Sequence, residues 1–269
     1  MNKRVGLELG AHPYTLFGVI PLLQQLQTSS LSVSLLSGAG AGAIAAGLIA
    51  CEYDAHKYSK AAIEFVNLNL FKRNRMLRSL FNLLFTKKVN LSLYDSNVLD
   101  QYLTRHFAGM QIENLKIPLI LKTTDAFTAE EVVLEKGNLI EALRASCALF
   151  PAYSAIKVQD QVLVTGTYSD WHARIKSESN QVDLILSLSL SSTELSHSTN
   201  NIEQLYAFFQ RSFQILSSND GYDPKHIVLD FKLPFSYKRI AAQEEAVISS
   251  YVHDCLNKHP QFSHLPPSV

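Results

Sequence analysis

Leu36-Ser37-Gly38-Ala39-Gly40-Ala41-Gly42-Ala43 is the stretch on which the fold turns. Upstream, Leu31-Ser32-Val33-Ser34-Leu35 alternates apolar and polar residues with the period of a strand. Downstream, Ala43 to Ala50 is alanine-rich and uncharged, the composition of a buried helix. Between them stand three glycines within five residues, the punctuation of a sharp turn. Thr28 to Ala50 carries no charge and has the length of a membrane span, and Gly38-x-x-x-Gly42 even mimics a helix-packing motif. The serines at 29, 30, 32, 34 and 37 favour strand, turn and helix instead.

The same alternation repeats outward. Val5 to Leu9 reads as a strand, Gly10 to Thr15 as a loop and Leu16 to Leu26 as a helix. A helix is expected over Asn97 to Phe107 and a third strand from Lys116 to Lys122. A hairpin partner follows at Glu131 to Glu135, a helix at Asn138 to Ala148, and a strand pair over Val158 to Val164 turning at Gln159-Asp160. Val182 to Leu190, a helix over Ile202 to Leu216, a strand over Ile227 to Phe231 and a helix over Arg239 to Leu256 complete the pass. Strand and helix alternation predicts an α/β fold. With no linker-like tract, residues 1–269 read as one domain, 260–269 forming a frayed tail.

Of 269 residues, 24 are Lys or Arg and 24 are Asp or Glu, so no global field points to nucleic acid, which is not expected as a partner. Three cysteines, Cys51, Cys147 and Cys255, have neither metal-ligand nor redox spacing and make no disulfide framework. No cofactor is expected, and no metal, because the histidines are dispersed without a third ligand. Glu8, His12 and Pro13 interrupt any signal-peptide core near the start. A cytoplasmic protein, peripheral at membranes at most, is the expectation.

Several segments together resemble the patatin-like phospholipase family. Val5 to Leu23, with Gly18-Val19-Ile20-Pro21-Leu22-Leu23, resembles its opening strand, glycine-rich loop and helix. Leu36 to Ala50 resembles its nucleophile elbow, Ile117 to Asp125 its central strand, and Ala142 to Pro151 the segment ahead of its aspartate. Val162-Leu163-Val164-Thr165-Gly166-Thr167 lies where the family carries Asp-Gly-Gly or Asp-Gly-Ala. The resemblance implies a three-layer α/β fold, a central mostly parallel sheet with helices on both faces, and lipid acyl hydrolysis by a serine–aspartate dyad.

Three parts of that chemistry are altered. Gly40 stands at the serine position, so no acyl-enzyme forms there. Thr165 stands at the aspartate position, and a hydroxyl is no general base near neutral pH. The oxyanion loop aligns with Glu8-Leu9-Gly10-Ala11-His12-Pro13, where Pro13 has no N–H to donate and His12 replaces an arginine. A glycine at the elbow also relieves backbone strain of about 1–3 kcal/mol, which predicts a stabilised site. Gly10, Ala11, His12, Gly38, Gly42 and Gly166 are the residues expected to line what is left.

Ser37 and Ser169 are the alternative nucleophiles, the latter beside Asp170 and His172. Neighbours in an extended segment face opposite ways, so Ser169-Asp170 reads better as a turn or cap than as catalytic partners. Cys147 reads as a small buried apolar residue. Between Phe65 and Tyr94 no acidic residue occurs, and Lys72, Arg73, Arg75 and Arg78 interleave with apolar residues at helical spacing. That segment is either core with a solvated basic face or a contact for anionic lipid.

The chain thus reads as a patatin-like protein without its dyad that binds a lipid, an acyl chain or a protein partner. Two alternatives stay open: a lipid acyl hydrolase with a relocated nucleophile, and a non-catalytic subunit of a complex with an active relative.

Overall fold

Alternating side chains along each strand sort this molecule into an apolar face and a more polar one. The computed structural model describes residues 3–29, 31–68, 96–150, 152–168, 175, 182–192, 225–235 and 239–260. Eight strands form one sheet: β1 (Lys3–Leu9), β2 (Leu31–Gly38), β3 (Leu119–Asp125), β4 (Glu131–Leu134), β5 (Ile156–Val158), β6 (Gln161–Thr165), β7 (Leu184–Ser192) and β8 (His226–Leu233). Their order is β5-β6-β3-β2-β1-β7-β8, with β4 also paired to β3. β3-β2-β1-β7-β8 is parallel throughout, and the pairs β3–β4, β3–β6 and β5–β6 are antiparallel. The expected α/β architecture, a mostly parallel central sheet packed with helices, is the one observed.

Six α-helices are described: α1 (Thr15–Gln27), α2 (Ala41–Ala50), α3 (Ala55–Val66), α4 (Asn97–Phe107), α5 (Leu139–Ser146) and α6 (Ala242–Lys258). They pack on the sheet face that carries Leu7, Leu9, Leu36, Leu121, Leu186, Leu188 and Leu229, all in the main core. α2 holds only Ala, Gly, Ile and Leu and is buried almost all round, which suits a helix lying between the sheet, α1, α3 and α5. The opposite face carries a small second cluster of Leu35, Ile175, Val182 and Ile185. The helix expected over 202–216 lies outside the described residues.

The uncharged Thr28–Ala50 run folds as β2, turn and α2, and among the described residues no helix is long and apolar enough to cross a membrane. β3 begins at Leu119 rather than Lys116 and runs on to Asp125, since Pro118 offers the sheet only its carbonyl, which accepts from Leu36 N–H at 2.9 Å. α3 is an addition to the sequence reading. Asp54 caps it by accepting from Lys57 N–H at 2.8 Å, and Tyr58, Ala61, Ala62 and Phe65 form its buried stripe.

The register of β3 positions the site. Leu121 pairs with Leu134 of β4 and with Gly38 of β2, while Thr123 pairs with Val132 of β4 and with Thr165 of β6. A strand has two edges, so β2 and β6 share the edge opposite β4, one after the other. The chain therefore leaves β2 into its turn just where β6 ends at Thr165.

Candidate functional site

At the turn, Gly40 has φ 56° and ψ −126°, a conformation that side-chain-bearing residues rarely adopt. The neighbouring glycines serve a separate need. A Cβ on Gly42 would stand 2.0 Å from the Leu9 carbonyl oxygen, and one on Gly38 would stand 2.5 Å from the Gly42 backbone. Strand β1, the turn and α2 approach so closely that only hydrogen fits between them.

The end of α5 ties together Gly40 and Thr165, the two positions that the resemblance aligns with the dyad. Gly40 N–H donates to the Ser146 carbonyl at 3.1 Å, and the Cys147 thiol donates to the Gly40 carbonyl at 3.3 Å. One residue further, the Ala148 carbonyl accepts from Thr165 N–H at 3.0 Å. Cys147 is half-buried and has a hydrogen-bonded role at the turn, beyond the apolar one expected of it. Burial pushes its thiol pKa up to about 12, so it stays protonated and unreactive.

Thr165 is buried, and its hydroxyl accepts from Thr167 N–H at 3.4 Å, bending back on its own chain. Gly166 follows, where a Cβ would meet the Lys122 backbone at 2.5 Å. No carboxylate stands at this position.

The loop after β1 closes over the turn. A Cβ on Gly40 would meet the Ala11 methyl at 3.1 Å and the Ala11 carbonyl oxygen at 3.4 Å. Ala41 N–H, the donor that in a nucleophile elbow faces the oxyanion, donates to that Ala11 carbonyl at 3.3 Å. Gly10 N–H is bonded to Leu188 at 2.9 Å. His12 is buried, its Nδ1 accepting from Tyr14 N–H at 3.2 Å, and desolvation lowers its pKa to about 4. The His12 ring is thus neutral at physiological pH.

Ser37 is fully buried on β2, with Glu8 and Ile120 as its strand partners. Ser169, Asp170 and His172 lie outside the described residues, as do Lys72, Arg73, Arg75 and Arg78. Among the described residues no three His, Cys, Asp or Glu converge on a metal-sized point.

The sheet's second face holds a cluster that sequence reading did not find. Glu8 is fully buried and accepts from the Ser187 hydroxyl and from Ile175 N–H. His226 Nε2 lies 2.5 Å from Ser187 Oγ and 3.2 Å from Glu8 Oε2. Hydroxyl and carboxylate share one ring nitrogen, whereas a catalytic triad places them on opposite nitrogens. The geometry therefore holds a buried carboxyl group in place and does not prime Ser187. Only parallel pairing of β1, β7 and β8 brings these residues together; Glu8 alone, a charge inside an apolar strand, was visible beforehand.

Residues 22–170, more than half the chain, match the family described as patatin-like phospholipase. Among solved structures, the chain is similar to VipD from Legionella pneumophila, with a TM-score of 0.54 and 10% identity over 94% of this chain and 65% of that one. It is also similar to the type III effector protein ExoU, with a TM-score of 0.42 and 14% identity over 99% of this chain and 54% of that one. The chain thus spans 65% and 54% of the lengths of these two proteins.

Proposed function

This chain belongs to the patatin-like phospholipase family, and from that premise we propose that it acts by binding a lipid or acyl group rather than by hydrolysing it. The observation that carries this reading is the filled space above Gly40. No hydroxyl is present there, the Ala11 methyl stands 3.1 Å from where a side chain would begin, and the Ala41 donor is bonded to the Ala11 carbonyl. Nucleophile and oxyanion donor are the two groups acyl transfer needs at this point. The third, a base, has a buried threonine hydroxyl in its place.

Binding through Gly10, Ala11, His12, Gly38, Gly42 and Gly166 belongs to the same proposal, as does contact of Lys72, Arg73, Arg75 and Arg78 with anionic lipid. Partnership with an active relative is a second form of it. Hydrolysis through a relocated nucleophile is the competing reading. Burial of Ser37 inside β2 speaks against that serine, and Ser169 is the remaining candidate.

Incubation of the purified chain with short-chain nitrophenyl esters and a fluorophosphonate probe, followed by mapping of any label, separates the two. We expect no turnover and no labelled serine. A label on Ser37 or Ser169, lost together with turnover in the corresponding alanine variant, would overturn the proposal.

A further inference from the structure

The most exposed large apolar side chain among the described residues is Phe127, at 84% of its full accessibility. It sits at the tip of the β3–β4 turn, and that turn is tightly bonded. Asp125 Oδ1 accepts from Phe127 N–H at 2.8 Å and from Thr128 N–H at 3.0 Å, while Asp125 N–H donates to Glu130 at 2.9 Å and Ala129 N–H to Asp125 at 2.9 Å. Ala126 N–H donates to Val162 at 2.8 Å, fixing the tip against β6. These backbone donors hold the Asp125 carboxyl group below its ordinary pKa. The ring is therefore presented to solvent by a rigid support, a pre-organised arrangement that loses little entropy on docking.

Its location gives it a partner. β3 continues four residues beyond Leu121, the level at which β2 reaches Gly38, so the tip projects past the Gly40 turn on the same end of the sheet. The β5–β6 turn at Gln159-Asp160 lies on this end too, because Val162 is bonded to Ala126. The tips expose the acidic Glu130 and Asp160, and Lys157, the strand partner of Val162, is exposed beside them. An apolar ring at an end that exposes charges of both signs matches a zwitterionic lipid surface, with the ring among acyl chains, the carboxylates toward choline ammonium groups and the Lys157 ammonium toward phosphate. Two carboxylates to one ammonium do not favour anionic headgroups.

We propose that Phe127 is an interfacial anchor that docks the Gly40 end of the molecule onto a phosphatidylcholine surface. This rests on the reading that the protein binds lipid, and adds where and to which headgroup it docks. The test is sedimentation of the whole chain with phosphatidylcholine vesicles, comparing the native protein with Phe127→Ala, Phe127→Trp and Phe127→Glu. The exposed ring makes few contacts within the fold, so circular dichroism and Tm should be shared by all four. Removing the ring should weaken partitioning roughly tenfold, Phe127→Trp should preserve it and Phe127→Glu should abolish it.

Native protein that stays in the supernatant, or a Phe127→Ala variant that binds as the native chain does, would overturn the proposal. So would a Phe127→Trp variant as weak as Phe127→Ala, which is the signature of a shaped protein pocket. Binding of a monomeric fatty acid without vesicles, measured in parallel, reports on the Gly40 site alone. Its failure beside a retained Phe127 dependence would reject acyl binding at that site and leave the anchor standing.

Discussion

The turn at Gly40, which follows β2, and the cluster around Glu8, which joins β1, β7 and β8, belong to one sheet and have settled in opposite ways. At the turn, position 40 carries no hydroxyl and position 165 no carboxylate, and the N–H groups of Gly10, Gly40, Ala41 and Gly42 are bonded within the chain. Around Glu8, an ionisable side chain occupies the interior, held by Ser187, Ile175 N–H and His226. The first region has few polar groups, and the N–H groups of its turn are bonded to neighbouring carbonyls. The second is satisfied too, but each of its members depends on the others, and a buried polar network is costly when partly broken.

That contrast can be broken at its geometric base first. Gly42→Ala would press a methyl group to within 2.0 Å of the Leu9 carbonyl oxygen, a contact no side-chain rotation relieves. We expect destabilisation above about 4 kcal/mol, read as a loss of soluble folded protein or a collapse of the urea midpoint. A tolerated alanine would mean that the close approach of β1 and α2 is not what requires the glycine.

Glu8→Ala strips acceptors from the Ser187 hydroxyl and from Ile175 N–H. The expected cost is about 3 kcal/mol or more, with faster hydrogen exchange at the Ile175 amide. Glu8→Gln keeps an acceptor and should recover part of both. If alanine and glutamine behave alike, the cluster is not acting as a hydrogen-bonded unit.

His12 supplies a pH signature for the turn. Its pKa falls from an ordinary 6.5 to about 4 on folding, so the unfolded chain binds the proton more readily. Stability from this group is complete above pH 6.5 and is lost as pH falls toward 4, by up to roughly 3 kcal/mol. Urea midpoints measured across that window should drop for the native chain. His12→Asn, which retains an acceptor for Tyr14 N–H, should flatten the His12 part of the slope.

The smallest effect is expected at Gly40 itself. Gly40→Ser imposes a side chain at φ 56° and against the Ala11 methyl, costing about 1–3 kcal/mol and a few degrees in Tm. No esterase activity should appear, since Thr165 supplies no base. Restored turnover in this single variant would show that the dyad was not the limiting loss.

Much of the fold was legible because its elements carry local signals. Alternation marked β2, helical spacing marked α4 over Asn97–Phe107, and the polar pair Gln159-Asp160 marked the β5–β6 turn, where Gln159 takes φ 53°. α3 went unread although Asp54 and the Tyr58, Ala61, Ala62 and Phe65 stripe spell it out. Of the site, the order of motifs singled out Gly40 and Thr165 as the positions that the resemblance aligns with the dyad. It gave nothing of Cys147 on the Gly40 carbonyl, of Ala11 above the turn, or of Ser187 beside Glu8, because those contacts join residues as far as 179 positions apart.

The sequence by itself determined what positions 40 and 165 can carry, since a glycine has no hydroxyl and a threonine no carboxylate wherever the chain places them. It also determined the α/β layout, because side-chain period is a local property. Tertiary structure decided what surrounds Gly40. Parallel register set β1 against β2 and β7, and tight strand–helix approach brought Ala11 over Gly40 and turned its carbonyl onto Ala41. Those outcomes depend on distances between remote segments, which only packing fixes.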